Sequence, residues 1–319
     1  MPLYLNFALL LFGFLLLIKG ADLLVEGSAS LAVRFSISPM VIGLTIVAFG
    51  TSSPELVVNI IASLKGNADL SFGNIIGSNI VNILLILGIA GLINPISTHR
   101  NTVWREIPFA LLGSLVLIFL CNDIIFDHSE NILSRSEGIV LLFFFIVFLI
   151  YTFAISKVET DDTEKFIEMN TAKTVIYILL GLSGLFFGGQ FVVNNSIDIA
   201  RYFNVSDRII GLTIVAIGTS LPELFTSAVA AYKGQSDIAM GNILGSNIFN
   251  IFFILAISAL IRPLPFNSAM NLDLMVLITA SFLLFFTMFT GKKRTLDRWE
   301  AVLFLVIYVV YTIYLISRA

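Results

Sequence analysis

The chain has 319 residues, of which 58% are hydrophobic and only 12% charged, and its mean hydropathy is +0.99. That composition excludes a soluble domain, because a bilayer absorbs about 20 apolar residues per crossing helix whereas a soluble core cannot hide so many. A net charge of −3 points to no nucleic-acid partner, and the single cysteine, Cys121, excludes an intramolecular disulfide or a multi-cysteine metal site.

Ten apolar runs read as membrane spans in chain order. The first, residues 4–32, begins in "MPLYLNFALLLFGFLLLIK"; it lacks a basic leader and a small-residue cleavage site and is expected to stay as a helix. It is longer than one crossing needs and turns polar late, at Asp22 and Glu26, which are expected on a solvated face. Spans 39–63, 71–93, 104–122 and 136–156 follow. The longest hydrophilic stretch, "KVETDDTEKFIEMNTAK", then separates the fifth span from the sixth, 173–201, which is again long and polar in its second half. Long, tilted helices with one polar face fit both cases. Spans 207–231, 239–261, 271–290 and 299–317 complete the series. His99 and His128 fall far apart at span ends, which disfavours zinc, and Asp69 and Asp237 are expected to be solvated beside Lys65 and Lys233. No Gly-x4-Gly-Lys-Ser/Thr phosphate loop occurs and no polar segment could hold a nucleotide-hydrolysing domain, so ATP-driven pumping is excluded.

Loops after odd-numbered spans carry 11 Lys and Arg against 6 on the other side, which predicts cytoplasmic odd loops and both termini outside the cell membrane. An internal repeat organises the rest. Shifting the chain by 168 residues aligns Val41–Asn82 with Ile209–Asn250 without a gap, and 25 of the 42 pairs are identical. Five spans per unit is an odd number, so the second unit must cross upside down relative to the first. The expectation is an all-α membrane protein of ten transmembrane helices in two inverted five-helix repeats, 1–156 and 173–319, joined by a short polar linker, 157–172.

The repeat contains the polar chemistry. "GLTIVAFGTSSPELV" (Gly43–Val57) and "GLTIVAIGTSLPELF" (Gly211–Phe225) place glycine, hydroxyls, proline and one glutamate where an apolar helix is expected. Gly50 and Pro54 break the helix, and the break is expected to free carbonyls near Ala48–Thr51. Free carbonyls at membrane depth need protein, water or an ion to satisfy them. Thr51, Ser52 and Ser53 add hydroxyls and Glu55 an anionic oxygen. An all-oxygen set suits hard cations such as Na+ and Ca2+. The next span adds "GNIIGSNIVN" (Gly73–Asn82), with Ser78 and Asn82 on one helix face. Its twin "GNILGSNIFN" (Gly241–Asn250) does the same with Ser246 and Asn250. Small-xxx-small spacings such as Gly73 with Gly77 also serve plain helix packing, as do Asn74 and Asn242. An intramembrane carboxylate is a functional signal by default, and Glu55 and Glu223 form a pair in matching contexts.

These paired motifs resemble the two alpha-repeats of the cation/calcium antiporter superfamily, and within it the compact prokaryotic sodium/calcium exchanger branch. The resemblance covers the whole chain. Proton/calcium exchangers of the superfamily usually carry an Asn-Ala-Thr-Glu type motif where this chain has Thr-Ser-x-Pro-Glu. The resemblance implies that Glu55 and Glu223 are shared ligands for Ca2+ and Na+, and that Thr51 and Thr219 add oxygens to the Ca2+ site. It implies that Ala48 with Ser78, and Ala216 with Ser246, complete flanking Na+ sites, that Asn82 and Asn250 face the central cavity, and that Ser52 and Ser220 lie within the same motif. Asn250 stands where potassium-dependent relatives have Asp, which argues against potassium cotransport. The implied activity is secondary antiport of Na+ against Ca2+, three for one and therefore electrogenic, with no enzymatic step and no cofactor beyond the transported ions. No obligate protein partner is implied besides the lipid bilayer. A proton-coupled Ca2+ antiporter and a cation channel are the alternatives.

Overall fold

A computed structural model describes residues 2–123, 131–154, 169–203, 205 and 216–318. Among these, eight helices are long and apolar enough to cross a membrane: Leu3–Phe35, Ala68–Ile93, Thr102–Leu120, Arg135–Ala154, Thr171–Tyr202, Ser236–Ile261, Ser268–Thr287 and Arg298–Ser317. Two further helices, Pro39–Thr51 and Ser53–Lys65, meet at a 48° bend at Ser52 and make a ninth if the bent pair is counted as one span. Of the seventh expected span, the turn Ala216–Gly218 and the helix Leu221–Tyr232 are described. Its first part (207–215), most of the linker (157–168) and His128 lie outside the described residues.

Leu3–Phe35 and Thr171–Tyr202 pack antiparallel against each other. A Cβ on Gly20 would lie 2.8 Å from the Gly181 carbonyl oxygen, and one on Gly188 would lie 2.9 Å from the Gly13 oxygen. Only glycine permits backbones so close. Shifting by 168 residues turns the Gly13–Gly188 contact into the Gly181–Gly20 contact, so the crossing obeys the same two-fold relation as the sequence repeat. We expect Gly181→Leu to cost about 1–3 kcal/mol through overpacking, read as a lowered midpoint of thermal unfolding in detergent. Gly189→Ala, on the same helix with nothing described within 4 Å of the added carbon, is expected to cost nothing.

Two helices form the centre: in their most apolar windows 78% of Ala68–Ile93 and 83% of Ser236–Ile261 is buried, against 17% of Arg298–Ser317. Both widen into π-helical turns, Val81–Ile86 and Phe249–Leu255, around Asn82 and Asn250. Such turns often mark functional positions, because the extra residue re-aims side chains.

Short strand pairs tie the two halves together outside the helices. β1 (Ile96–Ser97) pairs antiparallel with β4 (Thr295–Leu296), and β2 (Ile132–Leu133) pairs with β3 (Leu264–Pro265). Each pair joins a loop of the first half to a loop of the second. A carboxylate–tyrosine bond recurs in both halves too: Tyr151 donates to Glu106 at 2.7 Å and Tyr311 to Asp273 at 2.9 Å.

Two expectations for surface charges need correction. Asp22 and Glu26 are not simply solvated, because the Lys233 ammonium pairs with both, at 2.8 Å to Glu26. Asp237 pairs with His99 at 3.1 Å, not with Lys233. Burial works against the Lys233 charge, but hydrogen bonds and attraction from Asp22 and Glu26 outweigh it and raise its pKa.

Candidate ion-binding site

The break at Gly50–Pro54 follows from backbone chemistry. Pro54 has no N–H to give the Gly50 carbonyl, and the Ser53 hydroxyl donates to it instead, at 2.8 Å. The Ala48 carbonyl accepts the Ser52 N–H at 2.9 Å, and the Thr51 hydroxyl lies 3.3 Å from it, sharing its one proton between this carbonyl and the Asn242 side chain. The expected row of free carbonyls is therefore corrected: the hydroxyl run capped two of them locally. Ser52 sits between the half-helices at φ −81°, ψ 6°, a conformation that ends one helix and starts the next.

The break sets Glu55 in the first turn of Ser53–Lys65, and the matching turn sets Glu223 at the start of Leu221–Tyr232. Both carboxylates are 0% exposed, each near a half-helix N-terminus whose partial positive charge favours an anion. Neither has a cationic partner among the described residues.

Hydrogen bonds cross between the halves, in matched pairs. The Ser52 hydroxyl donates to Glu223 Oε1 at 2.8 Å, and Ser220 donates to Glu55 Oε1 at 3.4 Å. Within each half, Ser78 donates to Glu55 at 3.2 Å and Ser246 to Glu223 at 3.4 Å. The Ser78 and Ser220 hydroxyls also lie 3.0 Å apart, so one of them can turn its single proton to the other while the other keeps its bond to Glu55. Thr51 donates to Asn242 Oδ1 at 3.0 Å and Thr219 to Asn74 Oδ1 at 3.4 Å. Asn242 and Asn74 are thus positioning residues for the threonines, beyond simple packing.

Asn79 and Asn247, to which the sequence reading gave no role, complete the cluster. Asn82 Nδ2 donates to Asn247 Oδ1 and Asn250 Nδ2 to Asn79 Oδ1, both at 2.9 Å. The only sequence signal for the pair was their identity in both repeats. Asn59 also donates to the Glu55 carbonyl, at 3.0 Å. With both amide nitrogens engaged, the oxygens of Asn82 and Asn250 are fixed. Those oxygens, together with Glu55 Oε2 and Glu223 Oε2, are buried and accept no hydrogen bond among the described residues.

Four buried acceptor oxygens without donors, two of them on carboxylates, are costly in an apolar interior. A hard cation is the kind of partner such oxygens take, since Ca2+ binds carboxylate, amide and hydroxyl oxygens. Of the twelve residues read from sequence, the cluster brings together Glu55, Glu223, Ser52, Ser220, Ser78, Ser246, Thr51, Thr219, Asn82, Asn250 and the backbone of Ala48. Ala216 begins the turn at the second break, and its side chain lies outside the described residues.

Gly241 and Gly245 are buried against the first half of the broken span, where a Cβ on either would meet the oxygens of Met40 and Leu44 at 2.7 Å. Their counterparts in the first half are Gly73 and Gly77, and the segment equivalent to Met40 and Leu44, at 208 and 212, lies outside the described residues.

The family described as sodium/calcium exchanger protein matches residues 5–154 and 173–317. The putative antiporter CaxA of Alkalimonas amylolytica is 38% identical over 318 residues, covering 96% of this chain and 97% of its own. The sodium/calcium exchanger MaX1 of Methanosarcina acetivorans is 32% identical, covering 97% and 98%. Among solved structures, the sodium-calcium exchanger NCX_Mj soaked with 10 mM Na+ and zero Ca2+ superposes with a TM-score of 0.83 at 33% identity, covering 97% of this chain and 98% of that one.

Proposed function

The chain belongs to the sodium/calcium exchanger family of multi-pass membrane antiporters, and on that premise we propose that it exchanges Na+ for Ca2+ by alternating access at the Glu55–Glu223 cluster. The observation that carries the reading is the set of four donorless buried oxygens, from Glu55, Glu223, Asn82 and Asn250, inside a shell of serine and threonine hydroxyls. We assign Thr51, Thr219, Ser52 and Ser220 to the Ca2+ shell. Ser78 with Ala48, and Ser246 with Ala216, are assigned to flanking Na+ sites.

Charge explains why exchange would be obligatory. Two ionised glutamates place −2 in a low-dielectric site, and carrying that charge uncompensated through an occluded state costs several kcal/mol. One Ca2+ cancels it, and so do Na+ ions in its place, so loaded forms cross and the bare form does not. Three Na+ per Ca2+ would move one net charge. A tenfold Na+ gradient then supplies about 1.4 kcal/mol per ion, and the membrane potential about 2.3 kcal/mol per 100 mV, driving Ca2+ outward in an energised cell. Contacts that map onto one another under the 168-residue shift support two inverted units, 1–156 and 173–319, in ten spans. The loop-charge excess supports a cell-membrane orientation with both termini outside.

The test is Ca2+ uptake by proteoliposomes loaded with Na+ and diluted into Na+-free buffer, beside a set driven only by a pH gradient. Uptake that needs internal Na+, and rises when a potassium diffusion potential makes the interior positive at the start, supports electrogenic exchange, because each cycle of uptake carries one net positive charge out of the vesicle. Uptake driven by the pH gradient alone moves the chain to proton coupling, and non-saturable flux without counter-ion makes it a channel. Protons should compete for the same carboxylates: a protonated glutamate is neutral and removes one ligand charge. Uptake is expected to fall as pH drops toward about 5, near the ordinary glutamate range, and insensitivity there would count against shared carboxylate ligands.

A further inference from the structure

Residues 291–299 ("GKKRTLDRW") and 98–105 ("THRNTVWR") are distant in sequence, yet the β1–β4 pair sets them side by side. The Thr98 N–H donates to the Arg294 carbonyl at 2.9 Å, continuing the strand pairing into both loops. Arg100, Lys292, Lys293, Arg294 and Arg298 are all exposed there, and none forms a salt bridge among the described residues. The nearby acids are engaged: Asp297 accepts the Lys292 N–H, Glu300 is buried and bonded to Thr290, and Asp237 pairs with His99. Both tryptophans of the chain flank this cluster. Trp104 is 58% exposed and packs edge-on against Phe285 and Phe289, while Trp299, 57% exposed, has its indole nitrogen beside Gly291.

The pseudo-symmetric clasp on the other face shows that this is no generic feature of the fold. Beside β2–β3, the Arg135 guanidinium donates to the carbonyls of Leu260 and Ile261, and Arg262 lies against Gly66. That face has no tryptophan.

We propose that the β1–β4 clasp is a docking platform for acidic phospholipid headgroups of the adjoining leaflet, held by Arg100, Lys292, Lys293, Arg294 and Arg298. Clustered cations at a span end attract anionic lipid, and tryptophans settle at the headgroup level, so charge and depth agree on the occupant. A lipid bridging loops from the two halves would brace them on this face alone.

The tryptophans make the site readable by contact quenching, since both lie on this face. The full-length protein is reconstituted in phosphatidylcholine with rising fractions of either brominated phosphatidylglycerol or brominated phosphatidylcholine. A several-fold preference for the brominated acidic lipid is expected, weakened by salt and lost in the triple variant K292Q/K293Q/R298Q. The opposite-face variant K65Q/R135Q is expected to keep it. Equal quenching by the two lipids, a preference indifferent to salt, or one that survives the triple variant would overturn the proposal. Displacement of the preference by soluble glycerol phosphate would also overturn it, by showing a small-anion site instead of a lipid platform. The salt series on the native protein stands even if the triple variant fails to reconstitute.

Discussion

Glu55→Gln and Glu223→Gln are each expected to reduce Na+-dependent Ca2+ uptake by at least about 100-fold. Each carboxylate supplies one of the two charges that balance Ca2+, along with an oxygen that accepts no hydrogen bond among the described residues. Losing one charge of a buried, compensated set costs about 3–5 kcal/mol, and each 1.4 kcal/mol is a factor of ten. The variants should fold at least as well as the native chain, since glutamine keeps the size of a fully buried glutamate without its charge. Two measurements check this: initial Ca2+ uptake in Na+-loaded proteoliposomes and the thermal midpoint in detergent. Near-native uptake in either variant would remove that glutamate from the site. A collapsed thermal midpoint would instead show a structural role. Residual uptake should stay saturable, because the remaining oxygens still form a cage of lower charge.

Asn82→Ala and Asn250→Ala should produce the next largest loss, about 10-fold or more in apparent Ca2+ affinity. Each deletes one of the four donorless oxygens and also unpairs a buried acceptor, Asn247 Oδ1 or Asn79 Oδ1. Stranding a buried polar group costs about 1–3 kcal/mol, comparable with losing a neutral ligand. The two effects separate experimentally. Ligand loss raises the Ca2+ concentration for half-maximal uptake, whereas stranding lowers the thermal midpoint. Asn79→Ala and Asn247→Ala should follow with smaller affinity changes, because they touch the ligand oxygens only by holding their amides. If these two weakened Ca2+ binding more than Asn82→Ala and Asn250→Ala, the assignment of ligand and positioning residue would be reversed.

Much of this was legible in the chain itself. Spans could be read because transfer of about 20 apolar side chains into lipid is a local property, independent of what each helix later touches. The break at Gly50–Pro54 is equally local, since a proline that cannot donate disrupts the bond in front of it wherever the helix lies. Glu55 and Glu223 stood out because a membrane carboxylate is expensive without a purpose. The two-fold relation was legible because the repeat keeps its register over a 168-residue shift.

The tertiary structure alone decided which groups meet. From sequence, Ser52 belongs with Glu55 three residues on, yet its hydroxyl goes to Glu223, 171 residues away. No local property encodes that choice, because inverted packing of two halves trades partners across the two-fold relation. The carbonyls expected to be free were capped instead by hydroxyls meant for the ion, a competition only resolved once backbone geometry is fixed. Asn79 and Asn247 gained a role through side chains that converge from separate helices. Lys233 found Asp22 and Glu26 on a helix more than 200 residues earlier in the chain, not Asp237 nearby. The basic loops became one surface only when β1 met β4. Hydrophobicity and backbone chemistry act along the chain and set the helices, their breaks and the buried charges. Hydrogen bonds and ion pairs are short-ranged and directional, so which of them form depends on how the helices pack.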